Sequence, residues 1–201
     1  MRGCIVVPYR DRASHLVEFM GIVGGYGLDI VVIEQERGVL FNRAKLFNVF
    51  YREFGGLYDY YIFHDVDMIP EVVDYGYHEG VCHLAGRVEQ FGFQMPYPTY
   101  LGGVTMFSRG IFEGLGGYPN GYYGWGAEDD FMYHRVIAHG LGIEWRPCVF
   151  RSLPHERVLS SVAYANNVAM LGSGGGFDGG YSGCSYDIIS RVSDKHIIVS
   201  V

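Results

Sequence analysis

The first 70 residues alternate between apolar runs and segments with helical periodicity, and this alternation restricts the possible folds more than any other feature. Apolar runs at 3–7 and 29–35, and a third that begins at Tyr60, are typical of buried strands. Between them, apolar side chains recur at helical spacing in 16–23 and 41–51. The order β-α-β-α-β implies right-handed crossovers and a parallel sheet. The sequence therefore predicts an α/β fold of the kind that binds nucleotides.

Proline and glycine mark the ends of the predicted elements. Pro8 is expected to close the first strand, and Pro70 cannot continue a central strand because proline has no amide proton. Further predictions are strands within 81–86, 100–107, 143–150 and 197–201, a helix that begins at 128, and a turn-rich glycine segment at 172–183. No repeat or linker interrupts the chain, so we expect a single domain over residues 1–201.

Two carboxylates, Asp65 and Asp67, follow the third predicted strand. In an extended backbone, residues two apart point to the same side, and the carboxyl edge of an open α/β sheet is where ligands bind. Two neighbouring acids repel each other, and a divalent cation that bridges to a diphosphate would relieve this. The chain has neither G-x-G-x-x-G nor G-x-x-x-x-G-K-[ST], so a nucleotide would be held by side chains and a metal. The alternative interpretation is that both acids are turn formers.

Charge and composition exclude some classes of partner. The net charge is −7 and no lysine- or arginine-rich run occurs, which disfavours nucleic acid and anionic membranes. The chain has 30 glycines, and aromatic residues make up 16% of it. Aromatic rings cover the apolar face of a pyranose and glycines let the backbone approach it. This composition therefore fits a sugar-binding surface, although it also fits a loop-rich fold.

The cysteines and the lack of a long apolar run lead to an expectation about the compartment. Cys4, Cys82, Cys148 and Cys184 form no C-x-x-C pair, and we expect buried free thiols, which fit a reducing compartment. No apolar run reaches the ~18 residues of a membrane span, and no signal peptide is visible. We therefore expect a bare catalytic domain, soluble and cytoplasmic.

A second acidic cluster, Glu128-Asp129-Asp130, follows Trp125 at the start of a predicted helix. The helix dipole and capping explain part of this pattern. A carboxylate in a pocket walled by an aromatic ring can also accept a proton from a bound hydroxyl. His155 follows a predicted strand, and imidazole suits Mn²⁺ better than Mg²⁺, although most lone histidines are not ligands.

Several motifs together resemble one family. The matching stretches are IVVPYRDRASHL, FNRAKLFNV, FHDVDMIP, FGFQMPYPTYLGGV and NGYYGWGAEDDFMYHRV. In this order, over about residues 3–157, they resemble the beta-1,4-galactosyltransferases. The resemblance implies a GT-A fold, with a mostly parallel central sheet flanked by helices, and an inverting, Mn²⁺-dependent transfer of galactose from UDP-galactose to a sugar hydroxyl. It divides the domain into a nucleotide-binding half (about 1–75), an acceptor-binding half (about 76–160) and a divergent C-terminal region (about 161–201).

The resemblance also implies roles for individual residues. Asp67 and His155 would bind the metal, and Asp129 would be the general base. The implied donor-binding residues are Pro8, Tyr9, Arg10, Arg12, Phe41, Arg43, Asp65, Val66, Tyr100, Gly103 and Trp125. The implied acceptor-binding residues are Tyr97, Glu128 and Asp130. Tyr100 falls where the family uses tyrosine to favour galactose over N-acetylgalactosamine, and Trp125 would move over the donor.

The sequence departs from the family near the metal histidine. Many members have methionine three residues before it, where this chain has Ser152, and others have a second histidine two residues away, where it has Leu153 and Arg157. The third protein ligand is therefore open, and a water is one alternative. Two other functions also stay open: the same fold with UDP-GalNAc or UDP-glucose, or a non-catalytic sugar-binding module. Glucose, N-acetylglucosamine and xylose are all candidate acceptors.

Overall fold

The computed structural model describes residues 1–155 and 161–201. The described strands are β1 (Gly3–Tyr9), β2 (Asp29–Gln35), β3 (Tyr60–His64), β4 (Met68–Val72), β5 (Val81–His83), β6 (Arg87–Val88), β7 (Val104–Ser108), β8 (Ile143–Trp145), β9 (Val149–Ser152), β10 (Asp187–Ser193) and β11 (His196–Ser200). The described α-helices are α1 (Ala13–Val23), α2 (Arg43–Phe54), α3 (Arg109–Leu115), α4 (Glu128–Ala138), α5 (Ser161–Gly172) and α6 (Gly180–Gly183), and short 3₁₀ turns cover Gly24–Tyr26, Gly55–Leu57 and Glu89–Phe91.

The main sheet has the strand order β10-β11-β2-β1-β3-β7-β5-β8. Strand β1 pairs in parallel with both β2 and β3, which confirms the β-α-β-α-β unit predicted for the first 70 residues. Strand β7 then enters antiparallel between β3 and β5, and β10 pairs antiparallel with β11. A second, three-stranded sheet has the order β4-β9-β6. The architecture is therefore α/β with a mixed central sheet.

Strand β1 divides the core into two layers because its side chains alternate between the faces of the sheet. Cys4 and Val6 pack in one cluster, with α2 covering that face. Ile5 and Val7 pack in the other cluster, together with Phe19 of α1. Burial on both faces explains why β1 is apolar throughout rather than alternating.

Several predicted elements differ from the structure. Strand β1 continues through Pro8, which pairs with Ile33, because a proline near a strand end gives up only one ladder hydrogen bond. The predicted strand at 143–150 is two strands, β8 and β9, which belong to different sheets. Helix α5 and strand β10 were not predicted; all seven residues of β10 are exposed, so its sequence carries no burial pattern.

The segment after β3 differs most from its prediction. Strand β3 ends at His64, and the Met68 N–H donates to the Asp65 carbonyl (3.1 Å), which closes a turn. The expectation that Asp65 and Asp67 project together from an extended strand was therefore wrong. Pro70 lies inside β4, where it is tolerated because β4 is an edge strand.

Two further expectations concern the thiols and membrane spans. All four cysteines are free and buried, as predicted. Within residues 1–155 and 161–201, no helix combines the length and apolar character that crossing a bilayer requires.

Candidate active site

Arg43 joins two of the acids that the sequence singled out. It is the first residue of α2, which Asn42 caps by accepting a hydrogen bond from the Lys45 N–H (2.9 Å). Its Nε donates to Asp65 Oδ1 (2.6 Å), and its Nη1 lies 3.6 Å from Glu128 Oε1. One largely buried guanidinium therefore stands between the turn after β3 and the start of α4.

Asp67 makes a separate group with other partners. Its Oδ2 lies 3.0 Å from His155 Nδ1 and 3.3 Å from Arg12 Nη1. Burial raises the pKa of the Asp67 carboxyl, but the hydrogen bond from His155 and the charge of Arg12 outweigh burial and hold that pKa below its usual range. The Leu153 N–H donates to the Asp67 carbonyl (2.8 Å), which ties the segment that carries His155 to this turn.

Asp67 and His155 fit a transition metal because they place a carboxylate oxygen and an imidazole nitrogen side by side. In the part of the chain that the structure describes, no group of three His, Cys, Asp or Glu residues could hold a metal. Ser152 is engaged elsewhere: its N–H donates to Glu89 (3.2 Å) and its Oγ accepts from the Gln90 N–H (3.4 Å). Arg157 lies outside the described residues.

The acidic start of α4 holds a carboxyl group with an unusual pKa. Ala127 precedes the helix with φ 76°, in the left-handed region, and no side chain caps the helix. Burial, and then the neighbouring Glu128 carboxylate, raise the pKa of Asp129 to about 8, although Arg43 opposes this shift. Burial likewise raises the pKa of Glu128, with Arg43 opposing it, and that of Asp130. A carboxyl group of this kind can exchange a proton near neutral pH.

The Asp129 carboxylate rests against a glycine turn. A Cβ at Gly102 would collide with Asp129 Oδ2 and with the Tyr100 ring. Gly103 has φ 75°, and a Cβ there would lie 2.9 Å from the Ala85 Cβ and 3.2 Å from Tyr100 Oη. Glycine is therefore required at 102 for space and at 103 for both space and backbone conformation.

Aromatic side chains surround the acidic cluster. Tyr97 Oη donates to Asp130 (3.4 Å), and its ring meets the buried Tyr100 ring edge-on at 5.5 Å between centroids. Trp125, half-exposed, packs against Tyr164 of α5 at 5.4 Å. The rings thus form a partly exposed wall next to three acids, an arrangement suited to a sugar.

Asn167 of α5 fixes the loop that carries Trp125. Its Nδ2 donates to the carbonyls of Tyr123 and Gly126, both at 3.1 Å. The loop that ends at the acidic helix is therefore held by the C-terminal region, although the sequence of that region gave no indication of this.

The remaining predicted donor residues lie near the carboxyl ends of β1 and β2 and in the turn after β3. Arg10 Nη1 donates to the Val39 carbonyl (2.7 Å), and its guanidinium lies 5.2 Å from the Phe41 ring centroid. Tyr9 is buried and its Oη accepts from the Arg12 N–H (3.2 Å). The side chains of Pro8 and Val66 are also buried.

Sequence reasoning missed several buried polar residues. Asn48 in α2 donates to the Tyr118 carbonyl (2.8 Å) and accepts from the Tyr118 N–H (2.9 Å), which links α2 to the loop before the acidic cluster. His83 at the end of β5 binds the Gly102 carbonyl (2.8 Å). Each stands as a polar residue within an apolar run, and that interruption is the signal that was available.

Two family models match consecutive parts of the chain. Residues 1–79 match the N-terminal region of glycosyl transferase group 7, and residues 82–157 match the N-terminal domain of galactosyltransferase. Beta-1,4-galactosyltransferase 1 of Bos taurus is 38% identical over 166 residues, which cover 76% of this chain and 41% of that protein. Beta-1,4-galactosyltransferase 2 of Cricetulus griseus is 36% identical over 170 residues, covering 76% and 45%. The chain thus spans less than half the length of these relatives.

Solved structures agree on the fold. The catalytic domain of Drosophila beta1,4-galactosyltransferase 7, in complex with xylobiose, superposes with a TM-score of 0.77 at 23% identity, covering 99% of this chain and 92% of that one. A mutant of the same enzyme in complex with manganese, UDP-Gal and xylobiose superposes equally well. These likenesses confirm the predicted GT-A fold. Together with the matched family models and the 36–38% identity to curated relatives, they show that the chain belongs to the beta-1,4-galactosyltransferase family.

Proposed function

We propose that this chain is a Mn²⁺-dependent inverting glycosyltransferase that moves galactose from UDP-galactose to a sugar hydroxyl and forms a β-linkage. One observation carries the proposal: the acids fall into a donor group and an acceptor group on either side of Arg43. The Drosophila relative with manganese, UDP-Gal and xylobiose supports the same assignment of donor, metal and carbohydrate acceptor. With a net charge of −7, no nucleic-acid partner is proposed.

Asp67 and His155 would hold the manganese, which when bound neutralises charge on the diphosphate of the leaving UDP. Arg12, next to Asp67, adds a fixed positive charge on the same side. The nucleotide site would lie at the end of β1, in the segment between β2 and α2, and in the turn after β3. Its residues would be Pro8, Tyr9, Arg10, Phe41 and Val66.

On the acceptor side, Asp129 would accept the proton of the attacking hydroxyl. The hydroxyl attacks the anomeric carbon opposite UDP, so a single displacement inverts the α-linked donor. Glu128, Asp130 and Tyr97 would bind the acceptor by hydrogen bonds and ring contact. The raised pKa makes the Asp129 carboxylate a stronger base towards the acceptor hydroxyl, and a value of about 8 keeps its deprotonated form accessible near neutral pH.

Donor choice and closure involve the aromatic residues. Tyr100, buried against Gly103, would restrict the space beside the donor sugar and favour galactose over UDP-GalNAc. Trp125 would cover the donor and help exclude water. The segment after His155, which we expect to close with it, begins with residues 156–160, outside the described residues.

The test is a transfer assay with the full chain, Mn²⁺, a panel of UDP-sugars and the acceptors glucose, N-acetylglucosamine and xylose. We expect UDP release and a β-linked product with UDP-galactose. Preference for UDP-GalNAc or UDP-glucose would replace the proposed donor. UDP binding without transfer to any acceptor would support the sugar-binding module instead.

A stability measurement tests the environment of Asp129. Because its folded-state pKa is raised to about 8, the folded chain binds more protons than the unfolded chain between about pH 4 and pH 8. The free energy of unfolding contributed by this group therefore falls as pH rises through that window. Asp129→Asn should therefore be more stable than the parent in urea unfolding. The difference between their free energies of unfolding should increase from pH 5 to pH 8, to at most about 5 kcal/mol. A gap independent of pH would contradict the raised pKa.

A substitution in the glycine turn tests the position of the base. Gly102→Ala should push the Asp129 carboxylate away and lower transfer by roughly 10²-fold, the size expected for about 1 Å of misplacement. Gly110→Ala is a matched control because a Cβ at Gly110 meets no atom within 4 Å. Equal activity of both variants would show that Asp129 is not held by this turn.

The compartment also remains a prediction. Four buried free thiols support the reducing, cytoplasmic environment expected from the sequence.

A further inference from the structure

His83, which none of the motifs above includes, lies wholly buried at the end of β5. Its Nε2 is 2.8 Å from the Gly102 carbonyl oxygen, and its Nδ1 is buried without a hydrogen-bond partner. The ring meets Tyr100 edge-on at 5.4 Å and Trp145 at 4.9 Å between centroids. Two aromatic rings and one hydrogen bond therefore fix its orientation.

The hydrogen bond determines the protonation of the ring. A carbonyl oxygen only accepts, so Nε2 carries the proton and Nδ1 carries the lone pair. Burial lowers the pKa of His83 to about 4, which keeps the imidazole neutral at physiological pH. A buried acceptor without a partner costs free energy, so this orientation is not explained by fold stability alone.

The glycine turn that His83 holds touches both groups of acids. The Gly103 carbonyl accepts from the Asp65 N–H (3.0 Å), on the donor side. On the acceptor side, a Cβ at Gly102 would collide with the Asp129 carboxylate and the Tyr100 ring, and a Cβ at Gly103 would lie 3.2 Å from the Tyr100 hydroxyl. Any shift of the Gly102 carbonyl would therefore displace the carboxylate of Asp129, the proposed base.

A second polar side chain anchors the same turn. Thr105 Oγ1 donates to the Leu101 carbonyl (2.7 Å), and the Val104 N–H donates to the Gly102 carbonyl (3.0 Å) that His83 also binds. The turn is thus fixed from β5, from β7 and from the turn after β3.

We propose that His83 is a positioning residue for glycosyl transfer: its Nε2–H holds the Gly102 carbonyl and thereby sets where Asp129 and Tyr100 stand. It touches neither substrate nor metal, and it acts through the backbone of the turn. The inference rests on the proposed function, because it assigns His83 a part in placing the base of that reaction.

The test compares His83→Leu with His83→Gln. Leucine removes the donor and keeps an apolar side chain, whereas the glutamine Nε2 donates from nearly the same reach as histidine Nε2. We expect His83→Leu to lower kcat by about 10²-fold, the effect of a misplaced base, with the Kd for UDP and Mn²⁺ unchanged within about twofold. His83→Gln should recover at least tenfold of the lost kcat.

One control variant and two further measurements separate positioning from general destabilisation. Cys82→Ala, a truncation of the neighbouring buried residue on β5, should leave kcat within about threefold. If His83→Leu fails to fold, the ¹⁵N spectrum of His83 in the parent chain must still show a protonated Nε2 from pH 5 to pH 8, and His83→Gln must still exceed His83→Asn, whose shorter amide cannot reach the carbonyl.

The outcomes distinguish this inference from the proposed function. A parent chain that transfers no sugar would overturn the proposed function. An active parent with an equally active His83→Leu variant would overturn the role of His83 alone, as would equal losses of kcat and UDP binding in both the Leu and Gln variants.

Discussion

Asp129→Asn is expected to reduce transfer by roughly 10²–10⁴-fold, the usual contribution of a general base, while UDP binding persists. The asparagine keeps the shape of the side chain that rests against Gly102 but cannot accept the proton of the acceptor hydroxyl. Because the acceptor acids and the Asp67–His155 pair are separate groups, the donor site should remain intact. The loss should therefore appear in kcat rather than in the Kd for UDP.

The measurement is initial-rate kinetics together with calorimetric titration of UDP in the presence of Mn²⁺. Asp187→Asn provides the control, because Asp187 lies on the exposed strand β10. Transfer by Asp129→Asn at close to the parent rate would remove Asp129 from the role of base and point to Glu128 or Asp130 instead.

Asp67→Ala is expected to abolish the metal-dependent part of UDP binding. Asp67 supplies the carboxylate next to His155, and without it the described residues offer the metal a single imidazole at this position. A cation that bridges the protein to the diphosphate would then lose the carboxylate that stands beside His155 among the described residues. Arg12 would keep some attraction for phosphate, so weak metal-independent binding should remain.

Calorimetry with and without Mn²⁺ checks this expectation. In the parent, Mn²⁺ should tighten UDP binding; in Asp67→Ala the two titrations should coincide. Asp194→Ala, at an exposed position, is the matched control and should behave as the parent. A variant whose UDP affinity still rises with Mn²⁺ would show that other residues bind the metal.

The strands and helices of the first 70 residues could be predicted because their burial is periodic and local. Strand β2 was predicted to its ends, since the apolar run from Ile30 to Ile33 lies between the polar residues Asp29 and Glu34-Gln35. The segment Asp65–Asp67 was predicted to be extended on the assumption that the strand continues through it. The strand ends at His64, so the rule that residues two apart point to the same side does not apply there. A turn of three residues gives too weak a sequence signal to decide this.

Partnerships between acids and arginines could not be predicted from the sequence. Arg10, Arg12 and Arg43 were all assigned to donor binding without individual partners, yet Arg12 pairs with Asp67 and Arg43 with Asp65 and Glu128. These pairs join residues 22 to 85 positions apart, and their distances follow from the sheet order rather than from local sequence. The raised pKa of Asp129 likewise depends on burial by segments distant in the chain.

The entry of β7 between β3 and β5 has a topological consequence. Strand β3 lies in residues 1–79, which match the first family model, and β7 lies in residues 82–157, which match the second. The sheet therefore continues from one matched segment into the other. Asn48 and Tyr118 close the same seam with a reciprocal pair of hydrogen bonds across 70 residues. Each segment thus lacks a strand that the other provides, and the point near residue 80 where the two matches meet is a boundary in sequence only. Because β3 and β7 lie about 40 residues apart in the sequence, these two parts of the chain must pair before the two groups of acids can come together.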